Sequence, residues 1–333
     1  GDEIIVPGYT FAAPANMALA IGATPVYADV DPETFNIDLI DLEKKITSRT
    51  KAIQIVSIYG LSPDMDKIIE ISKKYKIPII EDNAECFLGY YKNKLVGTFG
   101  EISSYSFEGS KHISCGEGGI LTTNNEEYAT ICRKVGGQGF RVLTADEGRT
   151  KLDIDIWQNP NFMRHDTLGW NYRLSEFSAA IALAQLEKLD YFVDLRIKSA
   201  SAFLEVIKDC EYLVPQKVPS HSINSYWALG VKYLGEKYIG VSWFDFRKKY
   251  MDLGGDGIFG AWQVPYNEPL IANGTFKNHD NHLYGDIKYE KGLCPIAESI
   301  QKMMMVFKTN YRSEEDAILK AECLQKTIDF FSK

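Results

Sequence analysis

The sequence lacks several features that would assign it to a common class of protein. It has no apolar run near the roughly 20 residues that cross a bilayer, and we expect neither a membrane span nor a signal peptide. Its six cysteines form no C-x-x-C pair, which predicts reduced cytoplasmic thiols and neither a disulfide framework nor a zinc site. His279 and His282 form an H-x-x-H pattern in a polar loop without further ligands, which favours a solvated loop over a metal site.

Positively charged residues are also fewer than negatively charged ones. The 333 residues include 37 Lys and Arg against 45 Asp and Glu, a net charge of −8. Proteins that bind nucleic acids are usually basic, so we expect no nucleic-acid partner. For the same reason, we expect the tryptophans in the core or at a subunit interface and not in a base-stacking platform, namely Trp157, Trp170, Trp227 and Trp262.

Buried-strand patterns alternate with amphipathic helices up to about residue 135. Strands such as AIQIVSIYG and IPIIED, separated by helices such as DMDKIIEISKKY, predict an α/β fold with a mostly parallel central sheet. We predict a large domain over residues 1–204 and a smaller C-terminal α/β domain over residues 205–333. The first residue is Gly1 and a strand follows at once, so we expect the large domain to lack its natural N-terminal segment.

The second half of the predicted large domain contains two further patterns. Residues 136–171 have no clear periodicity, which is typical of functional or mobile segments. One long helical pattern then runs over residues 173–209.

Two groups of opposite charge stand at predicted strand ends, where open α/β sheets bind ligands. Asp82 closes the strand IPIIED, and Lys111 follows SYSF by a short turn, ahead of a glycine-rich stretch. Taken alone, such groups are more often an ion pair or a helix cap. Together they are also what pyridoxal phosphate (PLP) requires, a lysine for a Schiff base and an acid beside the pyridine nitrogen. Phe11 could stack on the PLP ring, and Ser106 could donate a hydroxyl to its phosphate.

Five longer segments carry a more specific signal, because they occur together in one order. They are GDEIIVPGYTFAAPANMALAIGATPVYADVD, RTKAIQIVSIYGLSPDMDKI, IPIIEDNAE, SYSFEGSKHISCGEGGILTTN and LGWNYRLSEFSAAIALAQLEKLD. With these segments, the sequence resembles the DegT/DnrJ/EryC1/StrS family of PLP-dependent sugar aminotransferases, and within it the perosamine-synthase type. The resemblance implies the fold-type I, aspartate-aminotransferase-like architecture.

The resemblance implies a role for each matching position. Lys111 is the Schiff-base lysine, and Asp82 is the partner of the pyridinium nitrogen. Glu85 lies near the phenolic oxygen of the cofactor, Ser106 binds its phosphate, and Phe11 stacks on its ring. The family's Ser-Gly-Thr phosphate-binding element would lie upstream of the first residue.

The same resemblance implies a homodimer with shared active sites. Asn171 of the NYR motif reaches the phosphate site of the other subunit, and Arg173 accompanies it in that motif. We expect Arg164 and His165 to contact the diphosphate of a sugar nucleotide, because their loop leads into the proposed site and charge-assisted contacts suit phosphates. The alternative for this loop is simple exposure to solvent.

The implied activity is transfer of an amino group from glutamate to a nucleotide-linked keto sugar, most simply a 4-keto-6-deoxyhexose. Such a reaction serves amino-sugar or surface-polysaccharide biosynthesis, and we expect it in the cytoplasm. Two alternatives remain open. One is a PLP-dependent sugar dehydratase, although histidine replaces the Schiff-base lysine in such variants and Lys111 argues against it. The other is a non-catalytic or regulatory relative.

Overall fold

The computed structural model describes residues 1–148, 152–278 and 288–332, with residue 278 described by its backbone alone. Its strands are β1 (Glu3–Pro7), β2 (Thr24–Ala28), β3 (Thr50–Val56), β4 (Ile79–Asp82), β5 (Tyr90–Tyr91), β6 (Lys94–Leu95), β7 (Ile102–Ser106), β8 (Gly119–Thr122), β9 (Leu213–Pro215), β10 (Ser222–Ile223), β11 (Ala228–Tyr233) and β12 (Met304–Lys308).

Its α-helices flank these strands in sequence. They are α1 (Ala13–Ala20), α2 (Leu39–Lys44), α3 (Met65–Tyr75), α4 (Glu126–Gly136), α5 (Ile154–Gln158), α6 (Glu176–Leu186), α7 (Leu189–Ile207), α8 (Gly235–Ile239), α9 (Trp243–Asp252), α10 (Pro269–Ala272), α11 (Pro295–Met303) and α12 (Glu314–Phe331). Short 3₁₀ turns lie at Ile58–Gly60, Pro265–Asn267 and Thr275–Asn278. Among the described residues, no helix is both long and apolar enough to cross a membrane.

The central sheet has the strand order β2-β1-β3-β4-β7-β8. All neighbours are parallel except β8, which runs antiparallel to β7. Consecutive residues of β1 enter different apolar clusters, since Ile5 packs with Met65 of α3 while Val6 packs with Ala15 of α1. Helices therefore cover both faces of the sheet, as parallel sheets require. The predicted α/β fold with a mostly parallel sheet is confirmed.

Polar side chains fix the start of most longer helices. Each accepts a hydrogen bond from the backbone N–H three residues further on, which satisfies one of the free donors of the first turn. These N-caps are Asp38, Asp64, Asn125, Ser175, Ser242 and Ser313.

The prediction of one continuous helix over residues 173–209 is wrong. The chain forms α6 and α7 instead, with non-helical backbone at Lys188 (φ −114°, ψ 12°) between them. The break lets α7 bury a broad face, whereas α6 buries only Ala182. No glycine or proline marks the break, so the helical periodicity could not reveal it.

The segment without a clear period folds back on itself in its described parts, residues 137–148 and 152–171. Its ends meet at the bridge between Gly137 and Asn171, and a second bridge joins Phe140 to His165. Within it, α5 is a single short helix. The described part of this segment is thus mostly irregular, as the absence of a clear period predicts.

A second, antiparallel sheet in the order β12-β11-β9 follows later in the chain. Val231 of β11 packs with Phe203 of α7, Phe246 of α9 and Leu324 of α12 in one apolar cluster. The predicted domain boundary at residue 204 falls inside α7, and the division of the chain there stays a prediction.

Candidate active site

A cavity of about 600 Å³ lies at the carboxyl edge of the central sheet. Asp82, the last residue of β4, and Ser106, the last residue of β7, both line it. Phe11 and Lys111 also line this cavity, which we call the Lys111 cavity. The structure therefore brings four of the predicted cofactor residues together in one chain.

Sheet register and a tight turn bring Lys111 to this edge. Strands β4 and β7 are parallel neighbours, with Asp82 opposite Ser104. After β7, the Glu108 carboxylate accepts hydrogen bonds from the backbone N–H and the hydroxyl of Ser110, at 3.0 and 2.6 Å. The Lys111 N–H then donates to the Glu108 carbonyl at 3.1 Å. This turn ends the strand and places the lysine beside the carboxyl end of β4.

Asp82 is a partly buried carboxylate. Its Oδ1 accepts the N–H of Ala84 at 3.1 Å. Burial raises the pKa of Asp82, while the Ala84 N–H, the Lys111 charge and the Gln54 side chain oppose that rise. The net upward shift means that these partners do not fully compensate for lost hydration. A cationic group bound in the cavity would stabilise this carboxylate further.

Glu85 does not line the cavity but is electrostatically coupled to it. It is buried, and its Oε2 accepts the backbone N–H of Tyr59 at 2.8 Å. Burial raises the pKa of Glu85 to about 7, the charge of Lys111 and the Tyr59 N–H lower it, and the charge of Asp82 raises it. Glu85 therefore titrates near neutral pH.

Three aromatic rings stand together beside the site, and we call them the aromatic wall: Trp227 and Trp262 line the cavity, and the buried Tyr59 packs against both. Trp227 and Trp262 are nearly parallel, with ring centroids 5.7 Å apart. Tyr59 is nearly parallel to both at 6.4 and 6.3 Å, and its backbone adopts a left-handed conformation (φ 58°). Phe11 meets Trp262 edge-on at 5.7 Å. The Lys111 Nζ lies 4.4 Å from the ring centroid of Trp227, within cation–π range.

The sequence did not predict the aromatic wall. Trp227 and Trp262 are partly buried against the apolar cluster that contains Tyr59, which agrees with the predicted place in the core, but both also line the Lys111 cavity. The Trp227 Nε1 donates to the Ser110 carbonyl at 3.0 Å across a separation of 117 residues in sequence. No local motif links residues so far apart, and their proximity depends on how the two sheets pack.

Asn171 and Arg173 do not line the Lys111 cavity of their own chain. Both are exposed, and the Arg173 Nε donates to the Asn171 Oδ1 at 2.8 Å. Their position leaves both side chains accessible to a second subunit.

Arg164 and His165 are also absent from that cavity. Arg164 donates to the Trp157 carbonyl at 2.8 Å, with its guanidinium 5.2 Å from the Trp157 ring centroid. His165 Nδ1 lies 2.8 Å from the Gln138 carbonyl oxygen, and its ring packs on Phe140 at 4.6 Å. Within one chain, both residues therefore make local contacts, and neither lines the Lys111 cavity.

No metal cluster accompanies this site in the described part of the chain, where no group of three or more His, Cys, Asp or Glu is placed to hold an ion. His279 and His282 lie outside the described residues.

Comparison with known proteins gives a family match over most of the chain. The model of the DegT/DnrJ/EryC1/StrS aminotransferase family matches residues 1–242. The GDP-perosamine synthase of Escherichia coli O157:H7 is 38% identical over 231 residues, which are 69% of this chain and 58% of that protein. The GDP-perosamine synthase of Caulobacter vibrioides is 43% identical over 190 residues, 57% of this chain and 47% of that protein. The matched part thus spans less than two thirds of either relative.

Solved structures extend the similarity to the whole chain. An aminotransferase from Psychrobacter cryohalolentis matches 100% of this chain and 82% of its own, with a TM-score of 0.83 and 26% identity. A GDP-4-keto-6-deoxymannose-3-dehydratase with bound GDP-perosamine matches 97% of this chain and 80% of its own, with a TM-score of 0.78 and 28% identity. These matches confirm the predicted fold type.

Proposed function

Since the chain belongs to the DegT/DnrJ/EryC1/StrS aminotransferase family, we propose that it transfers an amino group from glutamate to a nucleotide-linked keto sugar with PLP as cofactor. The observation that carries the proposal is the shared cavity of Lys111 and Asp82 at the carboxyl edge of the sheet. The GDP-perosamine synthases among its relatives support a sugar nucleotide as substrate, most simply a 4-keto-6-deoxyhexose.

The residues around the cavity fit PLP. The partly buried Asp82 carboxylate, whose pKa is raised because its partners do not fully compensate for lost hydration, suits a protonated pyridine nitrogen. Phe11 is 54% exposed and offers an aromatic face, and Ser106 offers a hydroxyl for the phosphate. When bound, PLP supplies a carbonyl that condenses with amines and a ring that accepts the electrons released at a neighbouring carbon.

Each residue at the site has a separate proposed role in amino transfer. Lys111 Nζ would hold the cofactor and, as a free amine, would accept and return the proton that amino transfer moves between two carbons. Asp82 would keep the pyridine nitrogen protonated through its negative charge. Glu85, which the resemblance places near the phenolic oxygen, would act on a bound cofactor through its charge, since its side chain does not line the cavity. The aromatic wall limits the water around Lys111.

The labelling test of this proposal uses the purified chain with PLP. Reduction with borohydride and peptide mapping should find a pyridoxyl group on Lys111. Lys111→Ala should lose this label, while Lys67→Ala, a control at an exposed lysine on α3, should retain it. A label on a different lysine would contradict the assignment.

The substrate class requires a separate test. Chain loaded with pyridoxamine phosphate should return to the PLP form when nucleotide-linked 4-keto sugars are added, as followed by absorbance. Simple 2-oxo acids other than 2-oxoglutarate should react poorly. If small keto acids react best, the sugar-nucleotide substrate is wrong. Release of a deoxygenated sugar without amino transfer would instead indicate the dehydratase chemistry of the second structural neighbour.

The proposal includes a homodimer with shared sites. Phe177 of α6 is 87% exposed, Leu168 is 78% exposed and Tyr172 is 68% exposed. A large exposed apolar surface is typical of a protein interface, and a second copy is its proposed occupant because Asn171 and Arg173 belong to the same segment. In the dimer, Asn171 would complete the phosphate site of the other subunit, and the loop of Arg164 and His165 would approach the diphosphate there.

Mixed dimers test the shared site. Lys111→Ala chains and Asn171→Ala chains should each be inactive alone, and refolding them together should restore part of the activity. One of the two sites in a mixed dimer then has both groups intact. A fully active monomer in sedimentation would contradict this part of the proposal.

The proposal also divides the chain into two domains. Residues 1–204 form the PLP-binding domain, and residues 205–333 form a smaller domain that contributes Trp227 and Trp262 to the site.

The proposed compartment is the cytoplasm. All six cysteines lie in the described part of the chain and are free thiols, which supports a reducing compartment.

A further inference from the structure

Arg196 of α7 is a buried cation. The residue is 5% exposed, and no Asp or Glu of the described chain lies within ion-pair distance of it. Burial lowers the pKa of its guanidinium to about 10, so it remains charged at neutral pH. An unpaired buried charge is costly, and the hydrogen bonds that it makes must compensate for lost hydration.

These hydrogen bonds converge on the site. The Nη2 of Arg196 donates to the carbonyls of Ser110 at 3.0 Å and Lys111 at 2.7 Å. The Nη1 donates to the carbonyl of Trp227 at 2.7 Å and to the hydroxyl oxygen of Thr309 at 3.2 Å. The rigid, planar guanidinium of Arg196 thus binds three segments: the turn after β7, the residue before β11 and the residue after β12.

The same segments also contact each other through Lys111 and Trp227. The Trp227 Nε1 donates to the Ser110 carbonyl at 3.0 Å, and the Lys111 Nζ lies 4.4 Å from the Trp227 ring centroid. Thr309 donates to the backbone carbonyls of Tyr226 and Trp227, at 2.6 and 2.9 Å. Arg196 therefore holds the main chain of both partners in the Lys111–Trp227 contact.

We propose that Arg196 is a positioning residue that holds the reactive amine of Lys111 at a fixed distance from Trp227. This inference rests on the proposed function, in which Lys111 is the reacting lysine. Lysine cannot replace the arginine here, because one ammonium group cannot direct four hydrogen bonds into the planar fork that these acceptors match.

The first experiment needs no cofactor. Competitive acetylation with acetic anhydride, read by mass spectrometry, compares the reactivity of the Lys111 amine with that of Lys67 in the same chain. In Arg196→Lys, the relative reactivity of Lys111 should change several-fold, and the tryptophan fluorescence of the chain, to which Trp227 contributes, should change with it. Arg247→Lys is the matched control, because it also removes a guanidinium bond to a backbone carbonyl, that of Ile258 at 2.8 Å. It should leave the Lys111 reactivity unchanged.

The second experiment follows the rate at which PLP labels Lys111 after borohydride trapping. Arg196→Lys should slow labelling by at least about tenfold, since small displacements of a reacting group cost rates of that order. Arg196→Ala should be slower still, and non-denaturing guanidinium should restore part of its rate while urea should not. If Arg196→Ala does not fold, the labelling rate of Arg196→Lys relative to wild type decides whether Arg196 positions Lys111.

The outcomes separate the two proposals. If Arg196→Lys leaves both the acetylation and the labelling of Lys111 at wild-type values, the positioning role is wrong and the aminotransferase proposal stands. If PLP does not label Lys111 in wild type while acetylation still responds to Arg196→Lys, the proposed function fails and the structural coupling stands. Equal effects of Arg196→Lys and Arg247→Lys would reduce Arg196 to a general contribution to stability and overturn the inference.

Discussion

Replacing Glu85 by glutamine should change how the stability of the cofactor-free chain depends on pH. Burial raises the pKa of Glu85 from 4.5 to about 7 in the folded chain. Between these values, the folded chain binds more protons at this site than the unfolded chain. Rising pH therefore destabilises the fold, and the loss is complete once the pH exceeds the folded pKa.

The two pKa values determine the size of this effect. The shift corresponds to roughly 3 kcal/mol of unfolding free energy, and about 2.5 kcal/mol of it falls between pH 5 and pH 8. Glutamine has the same shape, its amide oxygen can still accept the Tyr59 N–H, and it does not ionise. Glu85→Gln should consequently lose this part of the pH dependence and become more stable than wild type at pH 8.

Urea unfolding at a single protein concentration measures the difference between variant and wild type at both pH values. Comparing the two chains cancels the titration of other carboxylates, apart from the coupling of Glu85 to Asp82. Glu101→Gln, at an exposed position, is the control and should follow wild type. Parallel pH profiles for wild type and Glu85→Gln would refute the argument that a buried, ionising carboxyl stands beside this site.

Two further substitutions test residues that line the cavity. Asp82→Asn should leave the cofactor-free chain folded, because burial already disfavours the charge of Asp82. The same change should strongly slow amino transfer in single-turnover absorbance measurements, and an unchanged rate would remove Asp82 from the mechanism. Trp227→Phe should retain a ring beside Lys111 but lose the hydrogen bond to the Ser110 carbonyl. Urea unfolding should then show an unfolding free energy lower by about 1 kcal/mol, and no loss would mean that this bond contributes nothing to stability.

The sequence predicted the sheet well because its signals are local. Buried strands such as β3 and β4 are short apolar runs between polar helices, and side-chain caps such as Asp64 and Asn125 fix where helices begin. The break at Lys188 was not predictable, because its residues favour a helix and only tertiary packing interrupts it. The placement of residues 137–148 and 152–171 depends on contacts between these two stretches, such as the bridge between Gly137 and Asn171, and periodicity does not encode such contacts.

The candidate site was predictable only where chemistry restricts residue type. Lys111 and Asp82 each occupy a strand end in a short segment with a specific pattern, and the register of β4 and β7 brings them to the same edge. Trp227 and Trp262 carry no such pattern. Aromatic residues occur in cores, at interfaces and on cavity walls, so the residue type does not distinguish these locations.

Arg196 illustrates a stricter limit on reading function from sequence. Its acceptors near Lys111 are the backbone carbonyls of Ser110, Lys111 and Trp227, and every residue has such a carbonyl. The residue types at the accepting positions therefore give no sign of the interaction in the sequence. A helical pattern marks Arg196 as an ordinary long polar residue, and only the absence of a nearby carboxylate in the folded, described chain separates it from an arginine in a salt bridge. Residues that position a reactive group through the main chain must be sought among buried, unpaired cations in structures, because sequence motifs record side-chain chemistry alone.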